Sequence, residues 1–222
     1  MASIGKIARR SFLVGVAAIA GGVAVGYYYY RKPFPNPLAD GLAEGEATFN
    51  PYVKIAADNT ITIIVPRAEM GQGVSTTLAA MVAEELEVSL DQITVDHGPV
   101  GSAYYNPGLV VDNAPFAFFN ETTTAEAARS GLEVVAKLVA IQATGGSSST
   151  RDGFDRMRQA GAAARMLLVS AAAQKLGVPE AELEAANGNI LHKASGKSLT
   201  YGELAALAAT LPPPEEVALK DK

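Results

Sequence analysis

The sequence of 222 residues contains no cysteine. This absence excludes disulfides, a cysteine nucleophile, and any iron–sulfur or thiolate metal site built from this chain alone. Only two histidines are present, His97 and His192, so a histidine-rich metal site is not expected and we assign no metal ligands. We expect His97, which ends a predicted strand, to be structural, and His192 to lie at the surface.

Charge and nucleotide-binding signatures are also sparse. Charged residues make up 18% of the chain and the net charge is −5, which argues against a general nucleic-acid binder. No Gly-Lys-Ser/Thr P-loop occurs, and the Rossmann glycine fingerprint is absent. Hydrophobic residues make up 49% of the chain, so most of it is expected to fold.

The N-terminal region, residues 1–32, combines basic and apolar residues. Arg9-Arg10, followed by Ser-Phe-Leu, resembles the twin-arginine export signal of bacteria. The apolar run 12–25 is short for a membrane helix, which needs about 20 residues, but the tyrosines at 27–30 suit a membrane interface and can extend it. Because no A-x-A cleavage site precedes the tyrosines, we favour a retained anchor over a cleaved signal. A buried helix of a soluble core fits the basic flanks less well.

This region predicts export by the twin-arginine route to the periplasmic side of the bacterial inner membrane. A linker rich in proline and glycine follows at residues 33–46, and residues 212–222 read as a C-terminal exit segment. Residues 47–211 between them are predicted to form an α/β (α+β) domain, with a mixed sheet and packed helices.

The first half of that domain is predicted to contain three strands and one helix. The stretch "YVKIAADNTITIIV" predicts two strands around a turn at Asp58-Asn59, and "QITVDHGPV" predicts another. A helix follows the glycine turn near residue 73, with one apolar face; we expect its carboxylates to form a solvated face. The residues are Val74, Leu78, Met81, Val82 and Leu86 for the apolar face, and Glu84, Glu85 and Glu87 for the solvated one.

The second half predicts helices and a hairpin. Thr123 and Glu126 predict a capping box for a helix that runs towards Gln142. Its apolar stripe comprises Leu132, Val135, Leu138 and Val139. A long helix is predicted from near Phe154 to a C-cap at Gly177, and two strands are predicted around Asn187-Gly188. The aromatic stretch from Tyr104 to Phe119 is either a packed loop or a contact with substrate, membrane or partner.

Two turns rich in glycine and hydroxyls precede predicted helices. Gly71-Gln72-Gly73 comes before Val74, and residues 144–150 come before the helix near Phe154. A helix N-terminus presents unpaired N–H groups that favour anions, and glycine lets a ligand approach the backbone closely. Arg151 has a planar fork suited to phosphate. Each turn alone is typical of ordinary structure, but together they indicate a phosphate-bearing ligand between two helix N-termini.

These same turns carry a family resemblance. "EMGQGVSTTLAAMVAEEL" and "TGGSSSTRDGFDRMRQAGAAARMLL" resemble the molybdenum-binding large subunits of the xanthine dehydrogenase/aldehyde oxidase family. The isoquinoline oxidoreductase beta-subunit branch is most similar, and the likeness is to its N-terminal portion only. The resemblance implies a molybdopterin cofactor, in bacteria often in its cytosine dinucleotide form. It implies cofactor contacts from Met70, Gly71, Gln72, Gly73, Gly145, Gly146, Ser147, Ser148, Ser149, Thr150 and Arg151.

The resemblance also implies a reaction and partners. Members of this family hydroxylate an aldehyde or an N-heterocycle with water as oxygen source, and an iron–sulfur subunit passes the electrons on. Their catalytic glutamate lies in a region that this chain does not contain, so we assign no catalytic residue here. The implied partners are a chain carrying the remainder of the large subunit, a [2Fe-2S] small subunit, and as a further candidate a cytochrome c subunit. The alternative is a non-catalytic, membrane-anchored scaffold or assembly subunit that keeps the fold but binds no cofactor.

Overall fold

A computed structural model describes residue 16, residues 21–28 and residues 30–220. The chain forms two units, Met1–Phe34 and Pro35–Lys222, and residues 21–28 of the first unit are helical. Most of the predicted export signal lies outside the described residues. Within the described part of the chain, no helix is long and apolar enough to cross a membrane.

The second unit contains a four-stranded sheet with the order β1-β2-β3-β4. The strands are β1 Glu46–Asn50, β2 Val53–Ala56, β3 Ile61–Ile64 and β4 Ile93–Asp96. The first three strands pair antiparallel, whereas β3 and β4 pair parallel. A parallel pair needs a crossover, which helix α1 (Val74–Leu86) supplies. The predicted strands on either side of Asp58-Asn59, and the predicted strand after Gln92, are confirmed.

A second, antiparallel sheet contains β5 Leu183–Ala186, β6 Asn189–His192 and β7 Lys197–Thr200. The hairpin around Asn187-Gly188 is confirmed. Strand β7 was not predicted, because its four residues are exposed or half-buried and carry no alternating apolar pattern. Helix α5 (Tyr201–Ala208) follows it and begins with a capping box between Thr200 and Glu203.

Three helices lie between the two sheets in sequence: α2 Gly108–Val111, α3 Thr123–Val139 and α4 Ser149–Leu176. Helix α4 begins at Ser149 rather than near Phe154, so the Ser/Thr run forms its first turn. The predicted capping box at Thr123 is wrong, because the helix is preceded by Thr122, whose side chain makes no capping hydrogen bond. Helix α3 ends at Val139 rather than Gln142, since Ala140 adopts a left-handed conformation with φ of 51°.

The core forms where α1 and α4 pack against each other and against the sheets. Glycines on α4 allow this close approach: a Cβ on Gly153 would lie 2.5 Å from Leu78 Cδ2, and one on Gly161 would lie 2.5 Å from the Val82 carbonyl oxygen. Buried side chains from the first sheet and both helices form a single cluster, including Val53, Ile55, Ile61, Ile63, Leu78, Val82, Leu86, Met157 and Leu168.

The expected solvated carboxylate face of α1 is wrong for Glu85, which is fully buried. Its Oε1 lies 2.6 Å from Arg158 Nη2, and its Oε2 lies 3.7 Å from Arg165 Nη2. The Lys220 backbone N–H donates to Oε2 at 2.9 Å, so the C-terminal segment packs back onto α1. The periodicity of the sequence could not reveal that Glu85 is buried, because the compensating cations come from α4, more than 70 residues further along the chain.

The prediction of a surface position for His192 is also wrong. The residue is 7% exposed, and its Nε2 lies 3.0 Å from Glu182 Oε2. Its Nδ1 lies 2.7 Å from Ser195 Oγ. The side chains of β6 alternate in burial, which places His192 on the same buried face as Ile190. The two polar neighbours satisfy both ring nitrogens at this position.

We predict that Gly161→Ala destabilises the protein by about 1–3 kcal/mol, because the added methyl group meets the backbone of α1 and overpacked cores lose about this much. Gly131→Ala is the matched control: it also lies within a helix, but its added methyl group would meet no atom within 4 Å beyond its chain neighbours and the adjacent backbone of its own helix. The control should gain about 0.5–1 kcal/mol from higher helix propensity. Urea denaturation measures both, and equal effects of the two substitutions would contradict the packing described here.

Candidate functional site

The first glycine turn carries its own anion. The Glu69 carboxylate lies at the N-terminus of α1, where Oε1 accepts hydrogen bonds from the N–H groups of Gly71 (2.8 Å) and Gly73 (2.9 Å). Oε2 accepts one from the Ser75 N–H at 2.9 Å. Hydrogen bonds from the backbone N–H groups of Ser75 and Gly73 hold the pKa of Glu69 below its ordinary value. The positive charge at this helix end is therefore already balanced within the chain.

The turn has an unusual backbone, which glycine permits. Gly71 and Gly73 have φ angles of 91° and 80°, a region that residues with a side chain rarely adopt. The Gln72 side chain braces the turn: its Oε1 accepts from the Met70 N–H at 2.6 Å, and its Nε2 donates to the Ala68 carbonyl at 2.8 Å. The predicted segment Met70–Gly73 is thus a closed loop with a fixed shape, and Met70 projects from it with 74% of its surface exposed.

The second turn is held by Ser148, which is 1% exposed. Its Oγ donates to the Gly145 carbonyl at 2.7 Å and accepts from Asn106 Nδ2 at 2.7 Å. Gly108 lies so close that a Cβ there would be 2.6 Å from the Ser148 Cβ. Ser148 therefore fixes the turn against the α2 region, and it does not line the cavity described next.

The two predicted turns meet around one cavity of about 430 Å³. It is lined by Met70, Gln72, Val74, Thr144, Gly145, Gly146, Ser147, Ser149 and Thr150. In contrast to α1, the N-terminus of α4 has no side-chain cap, and no carboxylate belongs to this lining. Ser149, in the first turn of α4, is 9% exposed. The cavity therefore combines an open helix N-terminus with hydroxyl groups, an arrangement that suits an anionic group of a ligand.

A second cavity of about 500 Å³ adjoins the first at Ser147. Arg151 lines this second cavity rather than the first. It forms an ion pair with Asp112, and its guanidinium carbon lies 4.8 Å from the centre of the Phe118 ring. The lining also includes Phe116, Arg129 and apolar residues of the α2 region. We call this the aromatic cavity.

A third cavity of about 600 Å³ shares Met70 and Thr144 with the first. Its lining also includes His97, Glu69 and Gln142. The Nδ1 atom of His97 lies 3.1 Å from the Val65 carbonyl, which ties the ring to the backbone of the neighbouring segment. We call this the His97 cavity. The site is thus a series of three open cavities: the first meets the aromatic cavity at Ser147 and the His97 cavity at Met70 and Thr144.

A buried ion pair holds the two turns together. Arg67 lies just before the first turn, and Asp152 lies in the first turn of α4; both side chains are 4% exposed. Arg67 Nη2 donates to Asp152 Oδ2 at 2.8 Å, and Nη1 donates to the carbonyls of Pro66 and Tyr104, each at 2.8 Å. The Ala68 N–H also donates directly to Thr144 Oγ1 at 2.8 Å.

Sequence reasoning missed Glu69, Arg67 and Asp152. For Glu69 a signal existed, since an acidic residue next to glycines at the start of a helix is typical of N-terminal capping. Asp152 also fits the preference of acidic residues for the first turn of a helix, although its helix was predicted to begin later. Nothing in the sequence indicated that Arg67 is its partner, 85 residues away.

The chain is similar to a known domain family and to two longer proteins. Residues 9–107 match the molybdopterin cofactor-binding domain. The chain is 32% identical over 207 residues to isoquinoline 1-oxidoreductase subunit beta of Brevundimonas diminuta, covering 90% of this chain and 22% of that protein. It is 29% identical over 205 residues to the membrane-bound aldehyde dehydrogenase [pyrroloquinoline-quinone] of Gluconacetobacter polyoxogenes, covering 90% of this chain and 21% of that protein. The chain therefore spans about a fifth of the length of these relatives.

Two solved structures match part of the chain. The CO dehydrogenase of Oligotropha carboxidovorans matches with a TM-score of 0.43 and 24% identity, over 75% of this chain and 17% of that one. Quinoline 2-oxidoreductase from Pseudomonas putida 86 matches with a TM-score of 0.35 and 17% identity, again over 75% of this chain and 17% of that one.

We predict that Glu69→Gln lowers the melting temperature at pH 7 and that this difference disappears in acid. The pKa of Glu69 is lower in the folded than in the unfolded state. Its stabilising contribution is therefore present above an unfolded pKa of about 4.3, and it is lost as the pH falls through the lower folded pKa. Thermal unfolding between pH 7 and pH 2.5 measures this change. Glu133→Gln, at an exposed position of α3, is the control, and an effect of Glu69→Gln that is independent of pH would contradict the capping role.

We predict that Arg67→Met destabilises the fold by about 3–5 kcal/mol, because it leaves the Asp152 carboxylate buried without its main partner. The double variant Arg67→Met with Asp152→Leu should recover much of this loss, since replacing both members of a buried pair with apolar residues is often neutral. Urea denaturation of these two variants and of Asp152→Leu alone gives the coupling free energy between the two residues. A double variant that is several kcal/mol less stable than Arg67→Met would contradict a stabilising role for the ion pair.

Proposed function

Because this chain belongs to the family of molybdopterin-binding oxidoreductase subunits that includes the isoquinoline 1-oxidoreductase beta subunit, we propose that it is the cofactor-holding part of a molybdenum hydroxylase. The observation that carries the proposal is the cavity of about 430 Å³ where the Gly-Gln-Gly turn meets the open N-terminus of α4. Both turns were predicted to contact the same cofactor, and this cavity brings residues of both within reach of one ligand.

The residues present fit a molybdopterin. The cofactor combines a planar pterin with a phosphate, and the cavity lies within the usual range of about 300–1,000 Å³ for small-molecule sites. We assign the phosphate to the first turn of α4, at Ser149 and Thr150, because that helix end has no cap. We do not assign the phosphate to the N-terminus of α1, since the Glu69 carboxylate there already accepts hydrogen bonds from the N–H groups of Gly71, Gly73 and Ser75. The Met70–Gly73 loop then faces the pterin.

The proposed cytosine dinucleotide form has support in the aromatic cavity. That cavity meets the phosphate-binding side at Ser147, and it offers the rings of Phe116 and Phe118 with the charged pair Arg151–Asp112. A nucleoside joined through a second phosphate would reach it from the first turn of α4. Aromatic walls suit stacking of a flat base, and the polar pair can hydrogen-bond its edge.

The proposed reaction is oxidation of an aldehyde or an N-heterocycle with water as oxygen source. The names of the two relatives, an isoquinoline oxidoreductase and an aldehyde dehydrogenase, support these two substrate classes. When bound, the cofactor supplies the two-electron chemistry, and the electrons leave through an iron–sulfur subunit. The residues of this chain bind and orient the cofactor, while a partner chain with the rest of the large subunit supplies the groups that move protons.

The name of the aldehyde dehydrogenase refers to pyrroloquinoline quinone instead. We favour molybdopterin because the matched family region, residues 9–107, contains the Gly-Gln-Gly turn that borders the cavity. The proposed location is the periplasmic face of the inner membrane, reached through the Arg9-Arg10 signal. The intact mass of the membrane-extracted chain distinguishes a retained anchor from a cleaved signal.

We predict that Ser149→Ala weakens cofactor retention about tenfold, because a hydrogen bond to a charged group contributes about 1.5 kcal/mol or more. Ser170→Ala, which removes a hydroxyl further along α4 and outside the cavity, should retain the cofactor fully. The measurement is the molybdenum and cytosine nucleotide content of the purified complex, together with its melting temperature.

Combining Ser149→Ala with Gln72→Ala should abolish retention, since it changes both turns that border the cavity. Full retention of molybdenum and nucleotide in this double variant would exclude the cavity as the site. A folded wild-type complex that contains neither molybdenum nor nucleotide would instead support the scaffold alternative. If the purified complex contained pyrroloquinoline quinone instead, that compound and not molybdopterin would be the cofactor.

A further inference from the structure

Helix α3 exposes a stripe of large apolar side chains. Leu138 is 76% exposed, Val139 57% and Val135 46%, and all three belong to the apolar stripe predicted for this helix. Within α3 only the small residues Ala125 and Ala136 are buried. Exposed apolar patches of this kind mark interaction sites more often than scattered single residues do. We call this stripe of Val135, Leu138 and Val139 the α3 face.

The charges of α3 favour a protein partner over a lipid surface. The side of the helix away from the α3 face carries Glu126, Ser130, Glu133 and Lys137. With Arg129 included, the helix has two acidic and two basic residues and no net charge. Helices that lie on membranes usually carry a basic polar side that attracts anionic lipids. Helix α3 lacks that feature, so its apolar stripe suits an apolar protein surface.

The α3 face leads to the rims of two cavities of the candidate site. Near the start of the helix, Arg129 lines the aromatic cavity and donates to the Phe118 carbonyl at 3.2 Å. The Phe118 side chain there is itself 73% exposed. Past the end of the helix, the chain continues through exposed Ile141 to Gln142, which lines the His97 cavity. A polypeptide that covers α3 therefore reaches the open edges of the aromatic cavity and of the His97 cavity.

We propose that the α3 face docks a second polypeptide, the one that carries the rest of the large subunit. This inference rests on the proposed function. The chain spans 22% and 21% of its two relatives, so about four-fifths of their length has no counterpart in it. In a relative, that remaining length is available to cover the surfaces that this segment leaves apolar. Docking at α3 would bury the stripe and close the two cavities in one step.

The test compares Leu138→Lys with Ser130→Lys in the tagged full-length chain, expressed in its native host. Lysine and leucine have similar helix propensities, and both positions are exposed, so both variants should fold as the wild type does. The polypeptide with the remaining large-subunit region is identified by mass spectrometry and measured per tagged chain. We expect at least a tenfold loss of this polypeptide with Leu138→Lys and no loss with Ser130→Lys, which lies on the polar side of α3.

Several outcomes would overturn the inference. Equal retention of the partner by both variants would exclude the α3 face as the docking surface. Loss of binding to vesicles of phosphatidylglycerol and phosphatidylethanolamine, with the partner retained, would assign the face to the membrane. Loss of self-association in sedimentation, with the partner retained, would assign it to a second copy of this chain. A single longer polypeptide carrying both regions would refute a separate docking chain.

The molybdenum content of the same wild-type complex separates this inference from the proposed function. A complex that contains the partner but no molybdenum contradicts the proposed cofactor, while the two lysine variants still decide whether α3 is the docking surface. A complex that contains molybdenum and keeps the partner in Leu138→Lys contradicts the docking surface alone.

Discussion

The geometry of the candidate site depends on the ion pair between Arg67 and Asp152. Arg67 lies between β3 and the first glycine turn, and Asp152 lies in the first turn of α4. The pair therefore fixes the distance between two turns that are far apart in sequence. Burying two charges is costly unless hydrogen bonds compensate. Here Arg67 also donates to the carbonyls of Pro66 and Tyr104, and Arg156 Nη2 lies 3.4 Å from the second oxygen of Asp152. The planar fork of arginine can serve several acceptors at fixed angles, which lysine cannot do.

That fixed distance brings together two helix N-termini with different electrostatic states. The partial positive charge at the N-terminus of α1 is balanced by Glu69, whose oxygens accept hydrogen bonds from three backbone N–H groups. The N-terminus of α4 has no side-chain cap, and Ser148 beside it directs its hydroxyl inward to Gly145 and Asn106. An anionic ligand therefore gains from only one of the two ends. For the ligand that we propose, this asymmetry favours an orientation with the charged group towards α4 and the uncharged part towards the Met70–Gly73 loop.

The sequence predicts elements well where local pattern decides them. Alternating β-formers around Asp58-Asn59 and the apolar face from Val74 to Leu86 correspond to real strands and a real helix. It fails where a distant partner decides. Glu85 was predicted to be solvated, but Arg158 from α4 pairs with it in the core. His192 was predicted to lie at the surface, but Glu182 and Ser195 contact both of its ring nitrogens. For the same reason the residues of both turns could be named in advance, whereas the inward direction of Ser148 and the pairing of Arg67 could not.

Helix α4 connects the stable core with the site. Its first turn borders the cavity, Asp152 follows directly, and Gly153 and Gly161 let it lie close against α1. Further along, Arg158 and Arg165 flank the buried Glu85, to which the C-terminal segment is also bound. Contacts at the start of α4 and further along it thus hold this helix against α1. Helix α4 cannot slide along its axis without breaking a buried ion pair. A ligand site built on such a restrained element keeps its geometry, because the first turn inherits the position of the whole helix. The exposed α3 face, in contrast, lies outside this restrained pair of helices, and the proposed partner can dock there without disturbing the core.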